Sequence, residues 1–489
     1  MRIIGATLAA VLTTGTAAAQ TNPAPPATPQ TAPGPAETAK PAGQDGAPGP
    51  LARNAEATPP RAADVPAAAG PLKSVGTALA DRGVYLRAIL VDEFAGNVSG
   101  GQGRGTANSF ATAFGGDLDL DRLVGWKGGA IHLTFNRSVG TSLAAARTLN
   151  GVSFQTRYKT YQNTRLAILA FDQDLFGGKV TLTAGRISAL SYFNASPIYC
   201  NFQSNSVCFN PAVVPIGDRG LSFFPYGTWG GRVKVAPSKR VYLQAGVFED
   251  NTALQPTGGF NFSTRQATGV QVAGELGFQS ASAAAPHAFH LRLGGFVNTS
   301  PFNDPYLTTA GRPLAGNGGS PLRHDGLHSW YAMGDIVLHR PDPRSRRNLT
   351  LFGGTIGVAE DYATWKSQTL AGLVYTGPFA SRPADTAGIV VSYLHLGEQQ
   401  LAALDAARRR VGGTDRSFRG EAIVEANYGV QLYRGVRLNP NLQYVIHPDN
   451  NLRPASARRS GNIVAFGFRL TIEAGDLLGS GPIDVSVAI

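Results

Sequence analysis

The hydrophobic pattern of the chain changes its period near residue 84. Before that point, Ser74 to Asp81 places Val75, Ala78 and Leu79 on one face, which predicts a short amphipathic helix. After it, apolar and polar residues alternate with a period of two, as in VYLQAGVF at 241–248. Because successive side chains of a strand point to opposite faces, this alternation predicts strands with one apolar face and one polar face.

Alternating segments recur along the rest of the chain and predict about sixteen strands. The candidate strands are 84–93, 114–121, 129–137, 164–173, 179–187, 231–236, 241–248, 268–278, 289–297, 329–338, 348–358, 369–376, 388–396, 424–432, 436–446 and 464–473. Their polar faces carry Gly, Ser, Thr, Asn, Gln and single charges, whereas the solvent face of a soluble sandwich is usually richer in Lys and Glu. The pattern therefore predicts an all-β fold, a transmembrane antiparallel β-barrel of sixteen strands with a short N-terminal helix and a water-filled lumen.

The composition agrees with a membrane barrel. Charged residues make up 15% of the chain, against about a quarter in ordinary globular domains, and 43% of the residues are hydrophobic. Beyond the first twenty residues, no run of about 18 apolar residues is long enough for a spanning helix, which excludes a helical membrane bundle. Trp126, Trp229, Trp330, Tyr331 and Trp365 near strand ends suit interfacial girdles.

Three regions follow from the sequence. Residues 1–19 resemble a secretory signal peptide that ends in Ala17-Ala18-Ala19, and their apolar run is too short for a membrane anchor. Residues 20–71 are nearly all Pro, Ala, Thr and Gly, which predicts a disordered tether, with cell-wall anchoring or a plain linker as its role. Residues 72–489 form the predicted barrel, and exported barrels belong to the outer membrane of Gram-negative bacteria.

The net charge of +11 falls entirely within residues 72–489. The chain has 8 Lys and 35 Arg, and arginine offers a planar fork of donors where lysine offers a point charge. This excess indicates either a surface that recognises hydroxyl-rich or anionic solutes or a bias in base composition. The arginines are scattered, apart from Arg344, Arg346, Arg347 and Arg408 to Arg410, so nucleic acid is not an expected partner.

Long connections separate several of the strands. The stretch 188–228 contains Cys200 and Cys208, which in an exported chain are expected to form a local disulfide. The stretch 397–420 is expected to contain a helix from Glu398 to Arg410, and 298–328 is expected to be a third large loop.

Sequence motifs for catalysis are absent from fitting contexts, so neither an enzyme nor a cofactor is expected. His324 and His328 have the spacing of a metal pair on a helix, but SPLRHDGLHSW resembles a loop, so no metal site is predicted. Asp117, Asp119 and Asp121 alternate as calcium or acid/base carboxylates could, although a polar lumen edge or turn explains them more simply.

Several segments resemble the carbohydrate-selective porins of the OprB family, in the family's order. They are EFAGNVSGG (93–101), DLDLDRLVGWKGGAIHLTF (117–135), TRLAILAFDQDLFGGKVTLTAGRIS (164–188), GGRVKVAPSKRVYLQAGVFEDN (230–251), EANYGVQLYRGVRLNPNLQYVIHP (425–448) and GNIVAFGFRL (461–470). The resemblance implies a sixteen-stranded outer-membrane barrel for passive diffusion of glucose-like monosaccharides. It also implies a pore narrowed by inward-folded loops and lined by arginines that face carboxylates, with aromatic contacts.

The chain departs from the family pattern at two places. Ile168 and Ala170 stand where the family often has Glu and Trp, while Asp172 is retained, which leaves the preferred sugar open. Family chains usually stop near Glu473, but here residues 483–489 alternate again, so this tail is either the closing strand or an extension.

Strand parity predicts which side chains face the lumen. The pore-lining and solute-contact candidates are Arg232, Lys234, Gln244, Arg292, Asp335, Glu425, Arg437, Gln443 and Arg469, with Tyr242, Phe248, Phe296 and Tyr331 as aromatic faces for a sugar ring. As a group they predict a basic lumen that disfavours cations. The predicted function is passive diffusion of mono- and small oligosaccharides, with outer-membrane lipid and a homotrimer as partners. A general or anion-preferring porin and a secreted all-β carbohydrate-binding protein or polysaccharide-active enzyme are the alternatives.

Overall fold

The computed structural model describes residues 73–158, 161–208, 221–342, 345 and 347–475. Within these residues, sixteen antiparallel strands form a closed barrel in which each strand pairs with the next and β16 pairs with β1. The fold predicted from the alternating pattern is confirmed. The regions predicted as signal peptide (1–19) and tether (20–71) lie outside the described residues.

Every candidate strand of the sequence corresponds to a strand of the barrel. The strands are β1 (Val84–Gly101), β2 (Gly105–Asp119), β3 (Gly129–Gly140), β4 (Arg165–Leu175), β5 (Val180–Ile187), β6 (Thr228–Ser238), β7 (Val241–Asp250), β8 (Gly269–Gln279), β9 (Phe289–Thr308), β10 (Pro321–His339), β11 (Asn348–Val358), β12 (Trp365–Thr376), β13 (Thr386–Leu396), β14 (Gly420–Tyr433), β15 (Val436–Ile446) and β16 (Gly461–Glu473). The helices are α1 (Lys73–Ala80), α2 (Leu120–Val124), α3 (Leu314–Asn317) and α4 (Glu398–Arg410).

The alternation of side chains separates the outer face of the barrel from its inner face. In β7, Leu243 and Val247 are each 51% exposed on the outside, whereas Gln244 and Phe248 between and beside them are buried on the inside. In β13, Val391 is exposed outward and its neighbour Ser392 is buried inward. The outer face is therefore apolar, as a lipid-facing surface requires, and polar side chains turn into the lumen.

The connections at the two ends of the barrel differ in length. The β6–β7 and β14–β15 turns are short, and Gly435 in the second of them has φ 77°, a conformation that favours glycine. The connections β3–β4, β5–β6, β13–β14 and β15–β16 are long, and their described residues, 141–158, 161–164, 188–208, 221–227, 397–419 and 447–460, follow strand ends at the opposite end of the barrel. Outer-membrane barrels have short periplasmic turns and longer extracellular loops, so the long-loop end is the extracellular one.

The predicted helices at both ends are confirmed. The helix α1 precedes β1 at the short-turn end, where the Arg122 guanidinium of α2 donates to the carbonyl of Ala80 at 3.3 Å. The helix α4 has the predicted bounds and buries Leu401 and Leu404. Among the described helices, none is long and apolar enough to cross a membrane.

The structure corrects some expectations about strand ends. The predicted loop 298–328 is largely a hairpin, because β9 continues to Thr308 and β10 begins at Pro321. The barrel is closed by β16, which pairs with β1 through contacts such as Glu93 with Arg469, and not by residues 483–489, which lie outside the described residues.

The expected aromatic girdle holds for only part of its members. Trp126, Trp229 and Trp330 are at least 38% exposed on the outer surface, but Tyr331 and Trp365 are each 2% exposed and belong to the interior. Tyr331 follows Trp330 in the same strand, so its side chain points to the other face.

Candidate functional site

The pairing register brings the polar faces of neighbouring strands into one continuous lumen wall. Lys234 of β6 lies opposite Gln244 of β7, which lies opposite Glu275 of β8. Arg292 of β9 lies opposite Gly277 on one side and Met333 on the other. Directly paired residues share a face of the sheet, so these side chains all point inward.

All the candidate side chains lie on this inner face, but at different exposures. Arg232, Lys234, Arg292, Asp335 and Arg437 are partly accessible, whereas Gln244, Glu425, Gln443 and Arg469 are buried. The buried candidates are covered by two connections that fold into the barrel, which we name the first and the second inward loop.

The first inward loop comprises residues 141–158. The buried carboxylate of Glu93 on β1 accepts hydrogen bonds from the backbone N–H groups of Thr156 at 2.7 Å and Arg157 at 2.8 Å. It also accepts from the Thr156 hydroxyl at 2.8 Å and forms an ion pair with Arg469 at 2.8 Å. The Gln443 amide donates to the carbonyl of Phe154 at 3.1 Å. The wall residues Gln443 and Arg469 therefore hold this loop.

Charges around this loop are tightly packed. Burial, together with the positive charge of Arg469, lowers the pKa of Arg157 to about 9, while Glu93 opposes that shift. Arg157 therefore stays protonated at neutral pH. The carboxylate of Glu93 stabilises the positive charges of both Arg157 and Arg469. Carboxylate hydrogen bonds of this kind are roughly twice as strong as neutral ones.

The second inward loop comprises residues 188–208. Glu275 on β8 accepts from the backbone N–H of Asn194 at 3.2 Å, and Glu425 on β14 accepts from the N–H groups of Gln203 and Ser204 at 2.7 Å each. Because β8 and β14 are separated by several strands on either side of the closed sheet, the segment between these anchors crosses the lumen.

The C-terminal part of the second inward loop is a compact turn closed by a disulfide. Cys200 and Cys208 form a disulfide, with Cα atoms 4.3 Å apart. The carbonyl of Cys200 accepts from Arg469 at 2.9 Å, and Phe202 packs on Phe352 with ring centroids 5.6 Å apart. Burial raises the pKa of the Tyr199 hydroxyl in the same turn. The loop is thus bonded to wall residues on several strands, inside the barrel.

Four of the five accessible candidates lie on β6, β9 and β10, and Arg437 lies apart from them on β15. The Arg232 guanidinium lies over the ring of Tyr192, 4.2 Å from its centroid, and donates to the Gln244 side-chain oxygen at 3.0 Å. The Lys234 ammonium lies 4.5 Å from the ring centroid of Tyr242. The Arg292 guanidinium is 3.8 Å from a carboxylate oxygen of Asp335. Charged donors and aromatic faces therefore stand side by side next to the second inward loop.

All four aromatic candidates are buried, and three of them have specific partners. The hydroxyls of Tyr242 and Tyr331 both donate to Glu275, at 2.8 and 2.7 Å, and Phe248 packs edge-on against Phe193. These rings support the second inward loop. Tyr192, which sequence analysis did not single out, is the ring beside Arg232.

A second polar network lies on β1 to β4. Arg87 pairs with Asp117 at 2.8 Å, and His132 lies between Asp117 at 2.7 Å and Asp172 at 3.4 Å. Asp117 faces the lumen, which agrees with the sequence-based interpretation of the alternating carboxylates as a polar lumen edge or turn. Asp119 instead caps α2, where its side chain accepts from the backbone N–H groups of Asp121 and Arg122.

The histidine pair of the sequence lies on strand β10 and not on a loop or helix. His324 bonds Asp304 at 2.9 Å and stacks on Tyr362, whereas His328 bonds Glu360 at 2.7 Å. Their carboxylate partners are different residues, so the two rings do not form one site. Among the described residues, no group of three or more His, Cys, Asp or Glu could hold a metal ion.

Wall glutamates are the functional residues that sequence reasoning missed. Glu93 and Glu275 were not singled out, although each is an acid at an inward position of a predicted strand. That parity was the available signal. Their bonding partners, however, are backbone groups of distant loops, which no local pattern reveals.

The comparison with known protein families decides the assignment. The model of the carbohydrate-selective porin family OprB matches residues 103–473. The chain belongs to this family. Porin B of Pseudomonas aeruginosa is 27% identical over 392 residues, which cover 76% of this chain and 85% of that protein. The putative porin QuiX of Acinetobacter baylyi is 26% identical over 397 residues, covering 76% and 86%.

Solved structures show the same fold. The high-pH structure of OprB from Pseudomonas putida superposes with a TM-score of 0.76 at 24% identity, covering 84% of this chain and 100% of that one. This OprB-family chain is therefore an outer-membrane β-barrel of a Gram-negative bacterium, and its family and fold are those of a channel.

Proposed function

We propose that this OprB-family protein lets sugars diffuse passively across the outer membrane, with glucose-like monosaccharides as its main substrates. The observation that carries the proposal is the cluster beside the second inward loop, where Arg232 lies over Tyr192 and Lys234 lies over Tyr242. The aromatic rings hold these cations in place, and the N–H groups that remain accessible suit a hydroxyl-covered solute because they can donate to its oxygens.

The mechanism is an exchange of hydrogen bonds at the constriction. A sugar that enters the narrow segment loses water partners, and charged side chains replace them with strong but exchangeable hydrogen bonds. In this proposal Arg232, Lys234 and Arg292 donate to sugar oxygens, and Asp335 accepts from hydroxyls. Arg437 is 6 residues from Gln443 along β15, nearer the short-turn end, and would meet the solute later.

The buried candidates have a different role in this proposal. Gln244 supports Glu275 through a hydrogen bond of 2.7 Å, and Glu425, Gln443 and Arg469 hold the inward loops. They would set the width of the pore without contacting sugar. The basic character of the channel would then come from the accessible cations alone.

Single-channel recording in planar bilayers with added glucose tests the proposal. An Arg232→Gln and Lys234→Gln double variant should weaken the glucose-induced block about tenfold, which corresponds to the loss of about 1.4 kcal/mol. Arg137→Gln, at an exposed outer position of β3, is the matched control and should leave the block unchanged. An unchanged block in the double variant would reject the assignment.

The same recordings separate the second candidate function, a general or anion-preferring porin. The net charge of +11 favours that candidate. A porin of that kind would show no block by glucose, but its reversal potential would still be set by anions.

The proposal also includes lipid around the apolar outer face and association into homotrimers. Chemical cross-linking in native outer membranes would detect such trimers.

A further inference from the structure

A cluster of arginines lies on the extracellular loops 397–419 and 447–460. These loops pack against each other, because Gly413 lies against the carbonyl of Ala457 and Arg408 donates to the side chain of Asn450 at 3.0 Å. We name the exposed arginines of these loops that form no ion pair among the described residues the mouth cluster. It consists of Arg409, Arg410, Arg416, Arg453 and Arg458.

The acids of the same loops are already engaged. Glu398 pairs with Arg419 at 2.9 Å, and Asp415 lies 3.8 Å from Arg459. Asp405 accepts from the backbone N–H of Ser417 at 2.6 Å, and Asp449 accepts from that of Gly151 at 2.9 Å. The two loops contain eight arginines against these four acids, so they carry a net charge of +4.

A buried arginine beneath the cluster also has unused donors. Arg408 is 1% exposed, and its Nε and one terminal nitrogen have no hydrogen-bond partner among the described residues. Arg408 therefore adds a positive charge directly beneath the exposed arginines, in the last turn of α4.

The position of α4 directs the cluster toward the barrel opening. The helix belongs to the connection between β13 and β14, yet it contacts β9 and α3, and Arg410 lies beside Gly316 of α3. In the closed sheet, β9 and β13 are separated by β10, β11 and β12. The helix therefore reaches across the extracellular mouth, so its C-terminal arginines stand over the route into the lumen.

We propose that the mouth cluster recruits anionic carbohydrates, sugars that carry a carboxylate or a phosphate, and delivers them to the lumen. This proposal rests on the proposed function, which it extends to a charged substrate class. Arginine matches both groups, because its planar guanidinium binds carboxylate and phosphate in a bidentate manner. A basic mouth with low-dielectric walls raises the local concentration of an anion and its rate of capture.

Flux into liposomes that contain the full chain tests this proposal, with glucuronate and glucose 6-phosphate as charged probes and glucose as the neutral one. The variant Arg409→Gln, Arg410→Gln and Arg416→Gln should lower the capture rate of both charged probes about tenfold at low salt. Glucose flux should stay unchanged. The effect should vanish at about 1 M salt, where the Debye length is about 3 Å.

A matched control removes the same charge from the short-turn end. Arg82→Gln, Arg122→Gln and Arg240→Gln change exposed arginines there and should not alter capture from the extracellular side. Equal losses in both triple variants, or unchanged flux of the charged probes in the mouth variant, would overturn the proposal. The proposal would also be overturned if the mouth variant lost binding to the phosphates of lipopolysaccharide while its flux of glucuronate and glucose 6-phosphate stayed normal. Absence of glucose flux in the unmodified protein would instead count against the proposed function.

Discussion

Replacing Glu93 with Gln should release the first inward loop from the barrel wall. The carboxylate of Glu93 is fully buried and acts only as an acceptor, from two backbone N–H groups on one side and from Arg469 on the other. An amide offers an acceptor to one side and a donor to the other. In either orientation, its NH₂ group faces donors, either the loop backbone or the guanidinium.

The magnitude follows from these contacts. Removing one partner of a buried ion pair costs about 3–5 kcal/mol, and each factor of ten in an equilibrium corresponds to about 1.4 kcal/mol. If most of that cost falls on loop docking, the undocked fraction rises on the order of a hundredfold to a thousandfold. Single-channel recordings should then show frequent excursions to a larger conductance.

A matched control separates loop release from a general effect of charge removal. Glu398 also pairs with an arginine, but its side chain is 58% exposed. Glu398→Gln should therefore lower the free energy of unfolding by no more than about 1 kcal/mol and cause no excursions to a larger conductance. Heat-dependent gel mobility would verify that both variants form barrels. A folded Glu93→Gln variant with a quiet, unchanged conductance would refute the role assigned to Glu93.

Further changes probe the wall and the outer face. Arg469→Ala should destabilise the barrel by about 3–5 kcal/mol, because it removes the ion-pair partner of the buried Glu93 carboxylate, and normal heat-modifiable gel mobility of this variant would contradict the prediction. Arg292→Ala should still fold, because Arg292 is partly accessible and lies 3.8 Å from Asp335. Leu243→Arg, at an exposed outer position of β7, should lower the free energy of unfolding in lipid vesicles by up to about 4 kcal/mol, according to its depth in the bilayer, and an unchanged free energy of unfolding would contradict a lipid-facing position.

The barrel was predictable because its signal repeats in every strand. In β7 and β13, each residue contributes to the same two-residue period. Such a strand can be identified without knowing its tilt in the barrel, its pairing register or its neighbouring strands. The hairpin of β9 and β10 was missed because Pro301, Pro305 and Gly326 are typical of loops. These residues lie where β9 and β10 extend beyond their other neighbours, and the β9–β10 register shifts between Asp325 and Leu327. Such irregularities tolerate proline and glycine.

The candidate site was predictable in direction but not in exposure. Parity assigns Glu425, Gln443 and Arg469 to the inner face, but it contains no information on what covers them. Their cover comes from Gln203 and Phe154, more than two hundred residues away along the chain. Contacts of this kind depend on how a loop folds back, and no local period encodes that path.

The chemistry of loop anchoring also bears on the charge that a solute meets. A loop that folds back presents backbone N–H groups, which are donors, and a carboxylate is the side chain that accepts several of them at once. Glu93, Glu275 and Glu425 are consumed in this way and buried, whereas Arg232 and Lys234 have no such task and remain accessible. Among the candidate residues, the accessible side chains are four cations and one carboxylate, that of Asp335. This asymmetry supports the proposed basic channel, and it implies that removing an anchoring glutamate changes the width of the pore whereas removing an accessible cation changes its selectivity.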